Sequence, residues 1–302
     1  MTYQEAYRYG SQSLQQAGVE EYQLDAFYLL EHCTGITRAS YYSNQYQEIA
    51  ESSQKEYQKL IEQRAQRIPL QHLTGSQEFM GLTFEVNSDV LIPRQDTEVL
   101  VETALELLKN RAIDNASRDA DKQQEAEALL TNNEWLLDMC TGSGCILISL
   151  LHYATQQNIK LSGTGVDVSP AALTIARKNA QANAVEATFI ESDLFSRLQG
   201  RFSLIVSNPP YIPSAEIATL APEVAQHDPL LALDGHEDGL YFYRKIVTDS
   251  SKYLLQDGWL LFEIGAPQAA DVKALMESSG FKRVQIRKDL TGLDRVVFGQ
   301  WR

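Results

Sequence analysis

The sequence predicts an α/β protein in which a mostly parallel, seven-stranded sheet follows a small all-helical domain. Beyond residue 134, strand-length apolar runs alternate with segments of helical periodicity, which is typical of a parallel sheet with helices on both faces. Residues 1–75 show helical periodicity and no convincing strand. A short turn joins the last two predicted strands, so one of them runs antiparallel to its neighbour.

The N-terminal domain is predicted to be helical over residues 1–75. Thr2 and Glu5 have the spacing of a capping box, in which two side chains bond the free N–H groups at a helix start. Ser53 and Glu56 repeat this spacing before a second apolar stripe. The two pairs therefore predict that one helix begins after Thr2 and another after Ser53.

A β-hairpin linker is predicted over residues 76–94. The apolar residues Phe79, Leu82, Phe84 and Val86, together with the Asn-Ser-Asp turn sequence at 87–89, predict a short hairpin. Pro93 ends the segment, because proline lacks the N–H that a continuing strand would need. We therefore expect the second domain to begin at residue 95.

The C-terminal domain is predicted over residues 95–302. It begins with a helix over residues 97–110, and the polar, charged segment 110–133 predicts a surface insertion, part helix and part mobile loop. Ser169 and Pro170 predict the start of a helix, as its N-cap and its first residue. The seven predicted strands are residues 135–139, 162–167, 188–191, 204–207, 259–264, 281–287 and 294–300.

Composition narrows the functional class. The net charge of −14 argues against a free-standing nucleic-acid binder and suits a basic protein or ribonucleoprotein partner. Cys33, Cys140 and Cys145 are too scattered for a disulfide framework and lack zinc spacing, so no metal site is expected. The first residues do not form a signal peptide, and the apolar run 145–151 is too short for a membrane span. A cytoplasmic location is expected.

A glycine-rich loop follows the first strand of the predicted sheet. Because glycine lacks a Cβ atom, the backbone there can approach a ligand closely at the carboxyl end of the strand. The loop lacks the spacing of a dinucleotide fingerprint and of a P-loop, which argues against both ligands. A tight structural turn is the alternative interpretation. The candidate residues are Asp138, Cys140, Thr141, Gly142, Ser143 and Gly144.

Two carboxylates end the second and third predicted strands. Asp167 can accept hydrogen bonds from both hydroxyls of a ribose, or it can cap the turn before Ser169. Asp193 can accept a hydrogen bond from an adenine amino group, with Leu194 or Phe195 against the ring, or it can be a turn residue. With the glycine-rich loop, the functional interpretations predict a nucleoside site.

The fourth strand runs into the sequence Asn208-Pro209-Pro210-Tyr211. Two prolines remove two N–H donors, so the Pro209 carbonyl and the Asn208 side-chain carbonyl can accept the two hydrogens of one planar NH2 group. Tyr211 offers an aromatic face to the π-system of the acceptor. Hydrogen bonds of this kind stabilise positive charge that develops on a weakly nucleophilic nitrogen. A rigid strand-to-loop corner is the alternative.

With these features, the chain resembles class I AdoMet-dependent methyltransferases and, within them, the release factor glutamine methyltransferase family. The closer resemblance covers residues 1–302 apart from the predicted insertion. It depends on Asn208-Pro209-Pro210-Tyr211-Ile212 together with four further segments. Those segments are residues 64–75 (RAQRIPLQHLTG), 92–98 (IPRQDTE), 228–240 (DPLLALDGHEDGL) and 292–295 (GLDR).

The resemblance implies a Rossmann-like fold and methyl transfer from AdoMet to the side-chain amide N5 of the glutamine in a release factor's Gly-Gly-Gln loop. It implies class I release factors as partners and Asp138 near the methionine amino group of AdoMet. The implied AdoMet-binding residues are Asp138, Cys140, Thr141, Gly142, Ser143, Gly144, Asp167, Asp193, Leu194 and Asn208. The implied catalytic residues are Asn208, Pro209, Pro210 and Tyr211. The chain departs from the family at Cys140, usually glycine, and at Asp228, usually glutamate.

Three alternative functions share some of these features. A ribosomal-protein glutamine methyltransferase shares the Asn-Pro-Pro-Tyr motif. An adenine-N6 nucleic-acid methyltransferase shares it too, but should carry a basic groove that holds a flipped base. A non-catalytic adaptor with the same fold would not need the intact motif.

Several charged residues in the shared segments have both structural and functional interpretations. Arg64 and Arg67 either satisfy carbonyl groups at a helix end or contact the substrate. Asp96 and Glu98 are placed to cap a helix start. Arg94 is expected to bridge the two domains.

Overall fold

The computed structural model describes residues 1–120 and 134–302. The chain divides into two compact units. The first unit contains Met1–Ser76 and Leu220–Asp228, and the second contains Gln77–Thr219 and Pro229–Arg302. Within the described residues, no helix is long and apolar enough to cross a membrane.

Helices and strands are numbered in chain order. The helices are α1 Tyr3–Gln16, α2 Tyr22–Thr34, α3 Arg38–Asn44, α4 Glu51–Ala65, α5 Leu70–Thr74, α6 Glu98–Ala120, α7 Cys145–Gln156, α8 Pro170–Ala182, α9 Pro222–His227, α10 Leu230–Leu233, α11 Tyr241–Tyr253 and α12 Ala269–Ser278. The strands are β1 Ser76–Phe79, β2 Leu82–Glu85, β3 Glu134–Met139, β4 Leu161–Asp167, β5 Thr188–Glu191, β6 Phe202–Ser207, β7 Leu254–Glu263, β8 Lys282–Lys288 and β9 Asp294–Gln300.

The N-terminal region is helical, as the sequence predicts. The Thr2 hydroxyl accepts a hydrogen bond from the Glu5 N–H and the Glu5 carboxylate accepts one from the Thr2 N–H, which confirms the first capping box. The second capping box is wrong, because α4 begins at Glu51 and Ser53 lies inside its first turn. The buried Ile49, whose N–H bonds the Met1 carbonyl, fixes the chain just before α4 and so sets the earlier start.

Helices α1, α2 and α4 pack around the Tyr57 side chain, which is fully buried. The Tyr57 hydroxyl donates to the Ala26 carbonyl at 3.1 Å, so this polar group is satisfied inside the core. A Cβ atom at Gly10 would lie 2.0 Å from that hydroxyl. Gly10 therefore allows α1 to approach α4 closely.

A buried charge network ties α9 into the same unit. Arg64 donates to Asp25 at 2.7 Å and to Glu223 at 3.0 Å, and Arg67 holds Glu223 through two hydrogen bonds of 2.6 Å. Both arginines also donate to backbone carbonyls, those of Ile68 and Gly18. The interpretation that these arginines satisfy carbonyl groups is confirmed, but the sequence did not indicate their carboxylate partners.

The second unit is built on the predicted seven-stranded sheet, whose order is β5-β4-β3-β6-β7-β9-β8. The strands are parallel except β9, which runs antiparallel to both β7 and β8. The chain adds strands in one direction from β3 to β5 and in the other direction from β6 onward. The strand order therefore reverses between β3 and β6, which is where open α/β sheets bind ligands.

The predicted hairpin forms, but its turn is not at residues 87–89. Met80 and Gly81 make a two-residue turn with φ values of 51° and 69°. Positive φ at both positions matches the twist of paired strands, so this short turn determines the register. The hairpin packs against α8, where the Asn179 side chain bonds both the N–H and the carbonyl of Glu85.

Helix α6 and the helices between β6 and β7 differ from the predicted pattern. Helix α6 continues to Ala120 instead of ending at residue 110, so the first part of the predicted insertion is helical; residues 121–133 lie outside the described residues. Helix α11, between β6 and β7, was not predicted. Its buried residues, among them Tyr243, Ile246 and Val247, lie at helical spacing and pack into the core on one face of the sheet.

Candidate active site

A cavity of about 340 Å³ opens at the carboxyl ends of β3, β4, β5 and β6, and we call it the sheet-edge cavity. Its lining brings together most of the predicted site residues. Those lining it are Cys140, Thr141, Gly142, Ser143, Asp167, Asp193, Leu194, Asn208 and Pro210. The predicted residues outside the lining are Asp138, Gly144, Pro209 and Tyr211.

The glycine-rich loop after β3 turns sharply at Cys140, Gly142 and Gly144, whose φ values are 63°, 54° and 80°. Nothing lies within 4 Å of a Cβ position at Gly142, so the loop faces open space there. Cys140 adopts a left-handed conformation that costs a residue with a side chain about 1–3 kcal/mol. Burial raises the pKa of its thiol, which keeps it protonated and argues against a nucleophilic role.

Asp138 lies beneath the loop and is fully buried. The Thr141 hydroxyl donates to its Oδ2 atom at 2.5 Å. Burial raises the pKa of Asp138 to about 7, against the hydrogen bonds from Thr141 and from the Leu147 backbone. The buried Asp138 carboxyl group therefore stabilises the glycine-rich loop through its hydrogen bond from Thr141.

Asp167 caps the turn before Ser169, which is the structural interpretation considered for it, and it also bonds the glycine-rich loop. Its Oδ2 atom accepts from the Gly142 N–H at 2.9 Å and its Oδ1 atom accepts from the Ser169 N–H at 2.9 Å. Burial raises the pKa of Asp167, while these hydrogen bonds lower it. Each carboxylate oxygen has two acceptor sites, so both can still bind hydroxyl groups from the sheet-edge cavity.

The third strand ends beside the same cavity. Asp193 is exposed there, and Leu194 has a φ value of 47°, which turns the chain at the cavity wall. The buried Ser192 fixes this turn, because its N–H bonds the Asp167 carbonyl at 3.0 Å. A hydrogen-bond acceptor and an apolar side chain therefore lie next to each other at the cavity wall.

The Asn208-Pro209-Pro210-Tyr211 motif leaves the sheet at the end of β6. The Asn208 side chain is half-buried, and its Nδ2 atom lies 3.5 Å from the Thr97 hydroxyl oxygen. The Tyr211 ring packs partly against the core of the sheet and is half-buried. Burial raises the pKa of Tyr211 to about 12, so its hydroxyl stays protonated.

The chain after the motif is held by backbone and side-chain hydrogen bonds. The Gln268 side chain donates to the carbonyls of Tyr211 and Gly239 at 2.9 and 3.2 Å. Ile212 pairs with the segment around Asp234 as an isolated parallel bridge. A Cβ atom at Gly239 would lie 2.3 Å from the Tyr211 carbonyl oxygen, so only glycine fits there. This packing fixes the position of the motif.

Several residues near the site were not singled out from the sequence. Asn179 donates to the Ser143 carbonyl at 2.9 Å and so supports the glycine-rich loop. The His236 ring lies 4.2 Å from the Tyr241 ring, and both line the sheet-edge cavity. Glu263 ends the apolar strand β7 and is only 2% exposed. A carboxylate that directly follows the run Leu260-Leu261-Phe262 is a signal that could have identified it.

The structure also shows the contacts of the charged residues in the segments that carry the family resemblance. Arg94 lines the sheet-edge cavity. Glu98 accepts a hydrogen bond from the Met80 N–H at 2.8 Å and so joins α6 to the hairpin turn. Arg295 bonds Asp289 and lies 3.0 Å from Asp96. Asp96 and Glu98 therefore contact groups outside the helix start that they were predicted to cap.

Comparisons with known proteins show which sequences this chain is similar to. Models of the PrmC N-terminal domain and of the Methyltransferase small domain match residues 5–75 and 110–227. A release factor glutamine methyltransferase of Geobacter sulfurreducens is 38% identical over 288 residues, covering 95% of this chain and 92% of the relative. One of Agrobacterium fabrum is 38% identical over 286 residues, covering 94% and 92%.

A solved structure shares the fold at low identity. The hMettl16 catalytic domain in complex with MAT2A 3'UTR hairpin 6 has a TM-score of 0.55 and 15% identity, covering 80% of this chain and 82% of that chain. The two bacterial relatives align over nearly their full length, which confirms the resemblance inferred from the motifs. The chain belongs to the release factor glutamine methyltransferase family.

Proposed function

We propose that the protein transfers a methyl group from AdoMet to the side-chain amide N5 of the glutamine in the Gly-Gly-Gln loop of class I release factors, in the cytoplasm. The observation that carries the proposal is the position of Asn208-Pro209-Pro210-Tyr211. This motif leaves β6 at the point where the strand order reverses, and Asn208 and Pro210 line the sheet-edge cavity. Similarity to enzymes named release factor glutamine methyltransferase supports the choice of substrate.

The residues of the sheet-edge cavity fit AdoMet. The open space at Gly142 admits a ligand against the backbone of the loop. Asp167 would bind the ribose hydroxyls, Asp193 the adenine amino group, and Leu194 the face of the ring. Asp138 would support the loop through Thr141 and attract the methionine amino group. When bound, AdoMet supplies an electrophilic methyl group on a sulfonium centre.

The acceptor glutamine would be held by the Asn208 side-chain carbonyl and the Pro209 backbone carbonyl. Hydrogen bonds from the acceptor NH2 group to both oxygens fix the nitrogen and stabilise the positive charge that develops on it. Fixing the reacting atoms in line is the proximity effect, which reaches about 7–11 kcal/mol in favourable cases. The extra proton can leave the nitrogen after the transfer, so no strong base is required.

The proposed domain organisation assigns residues 1–75 to substrate orientation, residues 76–94 to a hairpin linker and residues 95–302 to methyl transfer. The helices of the first domain would seat the release factor and carry no chemistry. Because α9 clusters with the N-terminal helices, we extend the orienting domain to include Leu220–Asp228.

Asp167→Ala is expected to weaken AdoMet binding by about 1.5–3 kcal/mol, the range for a hydrogen bond to a charged group. The substitution removes the proposed ribose acceptor and also the support of the Gly142 N–H. Isothermal titration calorimetry measures the change, and Asp271→Ala on the exposed face of α12 is the matched control. An unchanged dissociation constant for Asp167→Ala would remove Asp167 from the proposed site.

The proposed function is tested with labelled AdoMet and competing acceptors. The protein is incubated separately with a release factor, with ribosomal proteins, and with duplex and single-stranded DNA. We expect mass spectrometry to locate one methyl group on the Gly-Gly-Gln glutamine and none on a Gln→Ala release factor. Methylated adenine, or a methylated ribosomal protein with an unlabelled release factor, would contradict the proposal.

A further inference from the structure

Glu263 lies beside Asn208 at the carboxyl edge of the sheet. Strands β6 and β7 are parallel neighbours, and Ser207 pairs with Phe262. Asn208 and Glu263 are the next residues along each strand, so they leave the sheet side by side. The Glu263 side chain is buried and its Oε2 atom makes no hydrogen bond. A carboxylate in this position is costly, because burial removes its hydration.

Burial raises the pKa of Glu263 to about 7, whereas the neighbouring Thr97 and Asn208 side chains and the Arg295 charge lower it. The nitrogen end of the Asn208 amide points to this side, since Nδ2 lies 3.5 Å from the Thr97 hydroxyl oxygen. Because of its raised pKa, the Glu263 carboxyl group is mostly ionised only above pH 7, and in that form it can only accept hydrogen bonds. If the Asn208 amide rotated by half a turn, its oxygen would face the carboxylate, and the repulsion is strong where water is excluded.

We infer that Glu263 is a positioning residue that fixes the orientation of the Asn208 amide, so that the Asn208 oxygen faces the NH2 group of the acceptor. This inference rests on the proposed function. The Thr97 hydroxyl places a second oxygen on the Nδ2 side of the Asn208 amide. The Asn208 oxygen is then already oriented before the substrate binds. A group oriented in advance lowers the barrier, because it does not have to reorganise during the reaction.

Glu263→Gln tests the inference, because glutamine has the same shape but can donate a hydrogen bond to the Asn208 oxygen. The amide of Asn208 can then adopt either orientation. Above pH 7, where Glu263 is mostly ionised, we expect kcat for release-factor methylation to fall about 10- to 100-fold, while AdoMet affinity changes less than about twofold. Glu186→Gln, on an exposed residue just before the amino end of β5, is the matched control. A purely structural role predicts the reverse, with lower thermal stability and AdoMet affinity and an unchanged kcat.

A double-mutant cycle separates action through Asn208 from independent action. In the N208A background, E263Q should lower kcat by less than about threefold, because the group that Glu263 orients is gone. A full 10- to 100-fold effect in that background would overturn the inference, and so would an unchanged kcat for E263Q alone. Absence of methylation by the unaltered protein would instead contradict the proposed function itself, and the inference with it.

Discussion

Asn208→Ala is expected to lower kcat for release-factor methylation by about 10²–10³, the effect of removing one preorganised group from a transition-state site. The amide nitrogen of glutamine is a weak nucleophile, because its lone pair is delocalised into the carbonyl. The Asn208 oxygen would therefore stabilise charge that develops only as the methyl group is transferred. AdoMet affinity should fall much less, since Asn208 acts chiefly on the acceptor although it lines the sheet-edge cavity.

The measurement combines single-turnover methylation of a release factor with calorimetry of AdoMet binding. Asn110→Ala, on an exposed position of α6, is the matched control. A loss of AdoMet affinity as large as the loss of rate would show that Asn208 serves the cofactor and not the acceptor. An unchanged kcat would remove the motif from the chemistry.

The part of the site that the sequence predicted follows from one local rule. In a parallel sheet the carboxyl ends of neighbouring strands meet at one edge, so residues just after predicted strands come together. Thr141, Asp167, Leu194 and Asn208 each follow or end such a strand, and all of them line one cavity. Strand ends can be recognised from periodicity alone, which is why these lining residues were predictable.

The supporting residues could not be found in the same way. Glu263 and Gln268 act on the motif after β6 because β7 happens to be the neighbour of β6, and strand order is a non-local property. Asn179 is an ordinary polar residue of helix α8 until the fold places the Ser143 carbonyl beside it.

Element boundaries show the same division between local and non-local causes. The Thr2–Glu5 capping box was predictable because it depends on adjacent residues only. The hairpin turn was predicted at Asn-Ser-Asp, yet it forms at Met80–Gly81, where both residues have positive φ. A methionine is an uncommon residue in that conformation, so composition pointed to the wrong turn.

Arg64→Ala is expected to lower the free energy of unfolding by about 3–5 kcal/mol, the range for a buried ion pair that loses one partner. The Arg64 and Asp25 side chains are each 8% exposed, so the substitution would leave the Asp25 carboxylate buried without its cation. Glu223 would keep Arg67 but lose the hydrogen bond from Arg64. The loss should therefore be concentrated in the unit that contains α9.

Urea unfolding of the full chain measures this loss, with Arg8→Ala on the exposed face of α1 as the control. The pH dependence gives a second readout through Glu223. Burial raises the pKa of Glu223, but the hydrogen bonds from Arg67 and Arg64 outweigh it and hold the pKa at about 2. A lowered carboxyl pKa adds stability that is complete above the unfolded value and is lost as pH falls from about 4.5 towards 2.

In Arg64→Ala the pKa of Glu223 should rise, so lowering the pH should remove less of the free energy of unfolding. The free energy of unfolding at neutral pH should already be lower than in the unaltered protein. Glu223→Gln should remove this contribution from the pH profile while leaving the Arg64–Asp25 pair in place. An Arg64→Ala protein as stable as the Arg8→Ala control would mean that water or neighbouring groups satisfy Asp25, and that the network does not hold α9 against the N-terminal helices.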